Sequence, residues 1–352
     1  SLLLESSDES CYCRGINKPV SPADKPSLKN RQYPMRNITD QKTAGQLMFK
    51  EVVEGMSRPA KILPTKYLYD QRGSELFDQI CEVDEYYPTD TEISIMKKNI
   101  GEMTDLLGRG VRLIEFGSGS SFKTRLLLDH LEELSGYIPV EISGKFLRKA
   151  VRRLREEYPG LQIYPVVADY TQPFELPENG SGRKNVVYFP GSTIGNFRPE
   201  KAREFLRRIA VLTGSDGGLL IGVDLKKDRK ILEAAYNDAD GVTAAFNKNI
   251  LVRFNRELNA DFDIDRFAHR AFYNEAKGRI EMHLVSLTEQ NIHIGNTTFH
   301  LKEGETLHTE NSYKYTTEEF KKLASGIFDV TKIWVDDAEY FSVQYLTPVQ
   351  TI

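Results

Sequence analysis

Between residues 111 and 223 the sequence alternates short apolar runs with segments of helical periodicity, and this alternation restricts the fold more than any other feature. The runs at 111–116, 137–142, 161–168, 185–189 and 218–223 have strand length, and 123–134, 145–158 and 200–212 carry apolar residues at helical spacing. Strands joined by helical crossovers imply a parallel sheet covered on both faces. The stretch 225–313 departs from the pattern, with a helical segment at 229–258 and strand-like runs at 279–287 and 297–301. Alternation resumes with a helix at 317–327 and two closely spaced strands at 330–335 and 340–345, a hairpin that inserts an antiparallel strand. The expected class is α/β, a Rossmann-like core interrupted by one long insertion before its last helix. Upstream, 46–56, 73–83 and 89–107 read as helices. Residues 1–40, rich in Ser, Pro, Asn, Lys and Asp, read as a mobile or loosely docked arm.

Composition narrows the function classes. A net charge of −4 argues against a polyanionic partner, since nucleic-acid-binding domains carry a basic excess, and the basic run 149–155 reads as a solvated helix face. Three cysteines, Cys11, Cys13 and Cys81, exclude a disulfide scaffold and suit a reducing compartment. No two histidines stand four apart on a helix, and no metal is expected. No apolar run approaches the ~20 residues of a membrane span, and the first residues lack the charged-then-apolar pattern of a secretory signal. These features lead to the expectation of a cytoplasmic protein with no nucleic-acid or membrane partner; a monomer is expected, though no sequence feature fixes the oligomeric state.

Three strand ends carry the chemistry. Leu113-Ile114-Glu115-Phe116-Gly117-Ser118-Gly119-Ser120 runs from an apolar strand with an acidic residue near its end into a glycine turn. In open parallel sheets ligands bind outside the carboxyl ends of strands, and glycine lets the backbone approach them closely. Phe122 occupies the position of the third glycine of a dinucleotide fingerprint, which disfavours a nicotinamide site. Glu141 closes the second strand, where a carboxylate can accept both ribose hydroxyls of a nucleoside. Asp169-Tyr170 ends the third, pairing an acceptor for an adenine amino group with a ring that can pack on the base. Each feature alone also fits a plain turn or an exposed strand end. In this order they describe an adenosyl pocket with no phosphate to bind, which suits S-adenosylmethionine better than NAD or ATP.

Longer motifs refine this. Tyr69-Asp70-Gln71-Arg72-Gly73-Ser74-Glu75-Leu76-Phe77, Glu85-Tyr86-Tyr87-Pro88-Thr89, Gly191-Ser192-Thr193-Ile194-Gly195-Asn196, Gly241-Val242-Thr243-Ala244-Ala245-Phe246-Asn247 and Thr309-Glu310-Asn311-Ser312 occur in this order. From residue 63 to residue 346 the chain resembles the histidine-specific methyltransferase family, which makes trimethylhistidine (hercynine) on the way to ergothioneine. The resemblance implies a class I methyltransferase core with a seven-stranded, mostly parallel sheet and an antiparallel last strand, plus a substrate-binding α+β domain. Residues 101–224 and 314–352 would form the core, and 41–100 and 225–313 the second domain. It further implies S-adenosylmethionine as methyl donor, S-adenosylhomocysteine as product and L-histidine as acceptor. Gly117, Lys123, Glu141, Asp169 and Tyr170 match cofactor-contacting positions, and Tyr69 matches a tyrosine near the methyl-transfer centre. Tyr86, Asn196 and Tyr236 match positions that hold the substrate's amino and carboxylate groups. Glu310 and Ser312 match the pair that reads the imidazole, and Met282 lines the same pocket. At Glu141 and Tyr170 the family pattern has aspartate and phenylalanine, changes that keep the chemistry. The arm has no counterpart.

Read without the resemblance, these residues allow blander roles. Any one of Tyr69, Tyr86 and Tyr236 can simply pack in a core. Asn196 can cap the helix after it, and Glu310 and Ser312, two apart on a strand, share a face that can be solvated. Three hypotheses follow: a histidine Nα-methyltransferase with Tyr69 and Asn196 at the reacting centre, a methyltransferase for another aromatic acceptor of the tryptophan type, and a non-catalytic adenosyl-binding protein. Glu310 and Ser312 separate the first two, since an acid and a hydroxyl suit the two nitrogens of imidazole, whereas indole offers one donor.

Overall fold

The computed structural model describes residues 36–37, 41–117, 122–177 and 184–350. The rest, which include nearly all of the 1–40 arm with Cys11 and Cys13 and the Ser118–Gly119–Ser120–Ser121 part of the glycine turn, lie outside the described residues. In chain order come β1 (Arg36–Asn37), α1 (Gln41–Met56), β2 (Lys61–Ile62), α2 (Gln71–Ile80) and α3 (Tyr87–Leu107). The alternating region follows as β3 (Arg112–Phe116), α4 (Phe122–Leu128), β4 (Gly136–Glu141), α5 (Gly144–Glu157), β5 (Val166–Val167), β6 (Asn185–Phe189), α6 (Pro199–Thr213) and β7 (Gly218–Asp224). The insertion holds α7 (Arg229–Ala234), α8 (Val242–Leu258), β8 (Phe267–Asn274), β9 (Arg279–Ser286), β10 (Gln290–Ile294), β11 (Thr297–Leu301) and β12 (Thr306–Tyr313). The chain then returns with α9 (Thr317–Ala324), β13 (Phe328–Val335) and β14 (Phe341–Pro348).

The main sheet has the order β1-β5-β4-β3-β6-β7-β14-β13. β14 runs antiparallel to both neighbours, and the recorded pairings among the other strands are parallel, as the closing hairpin led one to expect. Seven of these strands are those read from the sequence. The eighth, β1, comes from the end of the presumed arm and is two residues long, too short to show a period. The chain builds outward from β3 through β4 to β5, then returns to β6 and β7 on the other side. That reversal opens a crevice between the carboxyl ends of β3 and β6. Two apolar layers, one containing Ile114, Val187 and Phe205 and the other Leu113, Tyr188 and Leu147, bury the two faces of the sheet.

The insertion folds around α8. Phe246, Ile250, Phe254 and Leu258, spaced at four residues, form its buried stripe against α1, α2 and the sheet β2-β12-β9-β8. Each such side chain contributes about 1.5–3 kcal/mol of burial, so this stripe holds the insertion to α2 and the turn Thr65–Leu68.

Three boundaries differ from expectation, two of them for identifiable reasons. The third strand shrinks to Val166–Val167 plus a bridge at Ile163, because Pro165 has no N–H to give the ladder. The helix expected at 229–258 is two helices. Asp238 accepts from the Val242 and Thr243 amides, and Gly241 at φ +72° turns the chain. The helix expected at 123–134 ends at Leu128.

Candidate functional site

A cavity of about 740 Å³ opens over the carboxyl ends of the central strands. Its wall includes Gly117 after β3, Glu141 at the end of β4, and Asp169 and Tyr170 after β5, with Tyr69 and Asn196 opposite. Six of the residues singled out in the sequence therefore share one chamber. Gly117 has φ +69°, and a Cβ there would stand 3.9 Å from the Tyr170 ring. Glycine is thus required by backbone conformation and leaves room beside the aromatic wall. Tyr170 stacks on Phe116 with centroids 5.6 Å apart, and burial raises its phenol pKa. Glu141 is buried and accepts from the Ser143 amide at 3.1 Å. Asp169 accepts from the Thr171 amide at 2.9 Å and from Lys66 Nζ at 3.2 Å. A carboxylate at each of two adjacent strand ends, an aromatic wall and a bare glycine backbone suit a nucleoside of adenosine size.

Glu115 and Lys123 have structural partners instead. Glu115 is buried below the cavity, accepting from Thr124 Oγ1 at 2.6 Å and from the Tyr137 hydroxyl, and burial pushes its carboxyl up to about 7. Lys123 is absent from the cavity wall. Its ammonium pairs with the fully buried Glu92 of α3, which also accepts from the Gly191 amide at 2.9 Å.

The second group of residues lies deeper. A run of edge-to-face rings leads from the cavity inward, Tyr69 to Phe77 at 5.7 Å, Phe77 to Tyr86 at 6.2 Å and Tyr86 to Tyr236 at 6.2 Å. Burial raises the pKa of Tyr69, Tyr86 and Tyr236, so each hydroxyl keeps its proton. Met282, Glu310 and Ser312 are buried too. Glu310 pairs directly across from Met282, and Ser312 across from Ile280, so these side chains share one face of the β9–β12 ladder. Burial pushes the Glu310 carboxyl up to about 8, with Lys314 opposing the shift. Its Oε2 finds no hydrogen-bond partner among the described residues. A carboxyl buried with an unpaired oxygen is costly, and carboxyls perturbed this strongly cluster at functional sites.

The inward aim of Glu310 depends on a bulge. The register shifts between His308 and Glu310, and Leu307 and Glu310 then face the same side. Thr309 Oγ1 donates to Asn247 Oδ1 at 2.6 Å, tying the bulge to α8, and His308 Nε2 lies 3.0 Å from the Glu310 carbonyl. His308 stacks on His283, 4.6 Å between centroids, and His283 Nε2 lies 3.1 Å from Glu281 Oε2. Glu281, His283 and His308 have metal-ligand types close together. Arg279 already donates to Glu281 at 2.6 and 2.9 Å, and the near-parallel rings direct their lone pairs side by side rather than to one point. Burial alone would raise Glu281, but Arg279 and His283 hold it at about 2. The cluster acts as a strut behind the bulge.

Gly195 brings Asn196 to this group. A Cβ at Gly195 would stand 2.7 Å from the Tyr313 carbonyl, so only glycine lets the turn Thr193–Asn196 lie against β12. The sequence reading missed Asp224, Lys314, Lys227 and Tyr87. Asp224, at the end of β7, accepts from Lys314 Nζ at 2.5 Å, Lys227 Nζ at 2.6 Å and the Tyr87 hydroxyl at 2.8 Å. Burial alone would raise Asp224, but the two ammonium groups hold it below the usual carboxylate range. Its place at a core strand end was the available signal. Lys314 carried none, because a lysine just past a strand reads as solvated.

Residues 48–348 match the family model described as histidine-specific methyltransferase, SAM-dependent. The chain is 39% identical over 308 residues to the histidine N-alpha-methyltransferase of Mycolicibacterium smegmatis, covering 86% of this chain and 95% of that protein. It is 29% identical over 317 residues to ergothioneine biosynthesis protein 1 of Neurospora crassa, covering 86% of this chain and 35% of that protein. A 4-dimethylallyltryptophan N-methyltransferase of Aspergillus fumigatus is 26% identical over 305 residues, with 81% of this chain and 88% of that one covered. Among the described residues no helix is long and apolar enough to cross a membrane.

Proposed function

The chain belongs to the family of S-adenosylmethionine-dependent, histidine-specific methyltransferases, and we propose that it methylates the α-amino nitrogen of L-histidine three times, giving hercynine. In this reading 101–224 and 314–352 bind the cofactor, and 41–100 and 225–313 hold the amino acid. The observation that carries the acceptor is the buried pair on β12. Among the described residues Glu310 keeps an unpaired oxygen, and Ser312 stands two residues along on the same face. Neutral imidazole has one N–H and one bare nitrogen, the complement of an accepting carboxylate and a donating hydroxyl. The tryptophan-type alternative would leave Ser312 without an acceptor.

The cofactor supplies an electrophilic methyl group on a sulfonium. Glu141 would hold the ribose hydroxyls, Asp169 the adenine amino group, and Gly117 and Tyr170 the faces around them. The protein's task is alignment of a neutral amine. An α-amine is largely protonated at pH 7, so a proton leaves before each transfer. Tyr86 and Asn196 orient the amino and carboxylate ends by hydrogen bonds, Tyr236 bounds the same pocket beside Ser312, and Tyr69, between the cavity and the deeper group, marks the side from which the methyl arrives. Cation–π attraction to Tyr69 and Tyr86 favours the growing ammonium.

The test is incubation with S-adenosylmethionine and a panel of amino acids with mass detection. The expected result is Nα-trimethylhistidine, preceded by mono- and dimethyl species. Methylation of a ring nitrogen, or preference for tryptophan, would refute the proposed orientation.

A further inference from the structure

Lys314 stands one residue beyond β12 and is fully buried. Its ammonium is 2.5 Å from Asp224 Oδ2, 3.0 Å from the Tyr236 hydroxyl and 2.9 Å from Ser312 Oγ. An ammonium has three donors and no acceptor, so these three partners use it completely. Both hydroxyl oxygens therefore accept from Lys314, and neither can orient its lone pairs independently. The two hydroxyls are also 2.8 Å apart and bonded to each other. Between them they own two hydrogens, and their mutual bond consumes one.

We infer that Lys314 is a positioning residue that sets the donor direction of the Tyr236–Ser312 pair, so that the pair offers one hydrogen to the bound amino acid and the site selects a ring with a bare nitrogen. This rests on the reading of Glu310 and Ser312 as the ring-recognising pair. With Tyr236 donating to Ser312, the Ser312 oxygen accepts twice and its own hydrogen is left for the ring. An N–H presented there by a second ring donor meets an oxygen with no lone pair to spare. Glu310 is then the acceptor for the ring's N–H. A hydrogen sent from Tyr236 to the substrate's carboxylate cannot coexist with one sent from Ser312 to its ring while the 2.8 Å bond stands. Substrate carboxylate binding thus falls to Asn196 and Tyr86. Asp224 keeps Lys227 and Tyr87 as partners if Lys314 is removed, which leaves its charge compensated.

The experiment compares L-histidine with β-thienyl-L-alanine, whose ring has similar size and neither a bare nitrogen nor an N–H. Methyl transfer is measured at saturating S-adenosylmethionine in wild type and in Lys314→Met. The expected result is a KM for histidine raised roughly tenfold or more, on the scale of one unpaired polar group, with kcat within about twofold and cofactor affinity unchanged. Preference for histidine over thienylalanine should fall by the same factor. Equal losses for both substrates, or no loss, would overturn the role, since a merely structural lysine affects both alike. If Lys314→Met does not fold, Tyr236→Phe still leaves Ser312 its hydrogen and should keep the preference, while Tyr236→Phe with Ser312→Ala should abolish it. Loss of preference in Tyr236→Phe alone would overturn the inference. A wild type that does not prefer histidine to thienylalanine refutes the acceptor reading itself, and the role of Lys314 with it.

Discussion

Replacing Glu310 with glutamine tests the ring-recognition chemistry through pH. The carboxyl lies at about 8 in the free protein because burial disfavours its charge. Near pH 7 roughly one molecule in ten carries the ionised form, and near pH 9 roughly nine in ten. Ionised Glu310 accepts from the imidazole N–H. Protonated Glu310 donates instead, turning the ring N–H toward Ser312, whose oxygen already accepts from Tyr236 and Lys314. Productive binding therefore needs the ionised form, at a cost of about 1.4 kcal/mol at pH 7. Glutamine accepts at every pH but gives a neutral hydrogen bond, weaker by about 1 kcal/mol than a charge-assisted one. The wild type should therefore exceed Glu310→Gln by roughly fivefold at pH 9 and be nearly matched by it at pH 7. The assay is kcat/KM for histidine, which reports free-enzyme ionisations, taken from pH 6.5 to 9.5 for both proteins. Their ratio cancels the titration of the substrate's amine and ring, which both variants share. A ratio constant between pH 7 and 9, or one that rises toward acid, would refute the reasoning.

Other expectations follow from the same geometry. Glu141→Ala should weaken S-adenosylmethionine binding by about 1.5–3 kcal/mol, the range for a hydrogen bond to a charged group; unchanged affinity by calorimetry would remove Glu141 from the ribose role. Asp224→Asn should leave Lys227 and Lys314 buried together without their anion and cost about 3–5 kcal/mol of stability. Thermal or denaturant unfolding of the ligand-free protein would read this as a lowered midpoint, and wild-type stability would show that the carboxylate is not the anchor of the cluster.

Much of the cavity over the strand ends, the proposed adenosyl side, was legible because it follows from local rules. Strand, turn and helix are short-range patterns, and a ligand site at the carboxyl ends of parallel strands is a property of their connectivity. Gly117, Glu141, Asp169 and Tyr170 were read as adjacent strand ends, and the structure lines one cavity with them. Glu115 shows the limit of such reading, since a sequence does not say whether a polar residue near a strand end faces the cavity or a buried partner. Glu310 and Ser312 were read as sharing a face because they stand two apart on a strand, and the period holds between them because both lie beyond the bulge. A strand period counted through His308 and Thr309 would have given the wrong face to everything before them.

The sequence by itself determined the order of elements, the parallel core, the antiparallel return and the residue types at each strand end, all set by interactions between near neighbours. The tertiary structure decided which distant polar groups share one hydrogen-bond network. Asp224, Tyr236 and Lys314 are separated by up to 90 positions, yet they meet inside the protein where water cannot satisfy them. No local pattern records that meeting, because the favourable geometry exists only once the crossing of β12 to the end of β7 has excluded solvent and left these donors only one another's partners to bond.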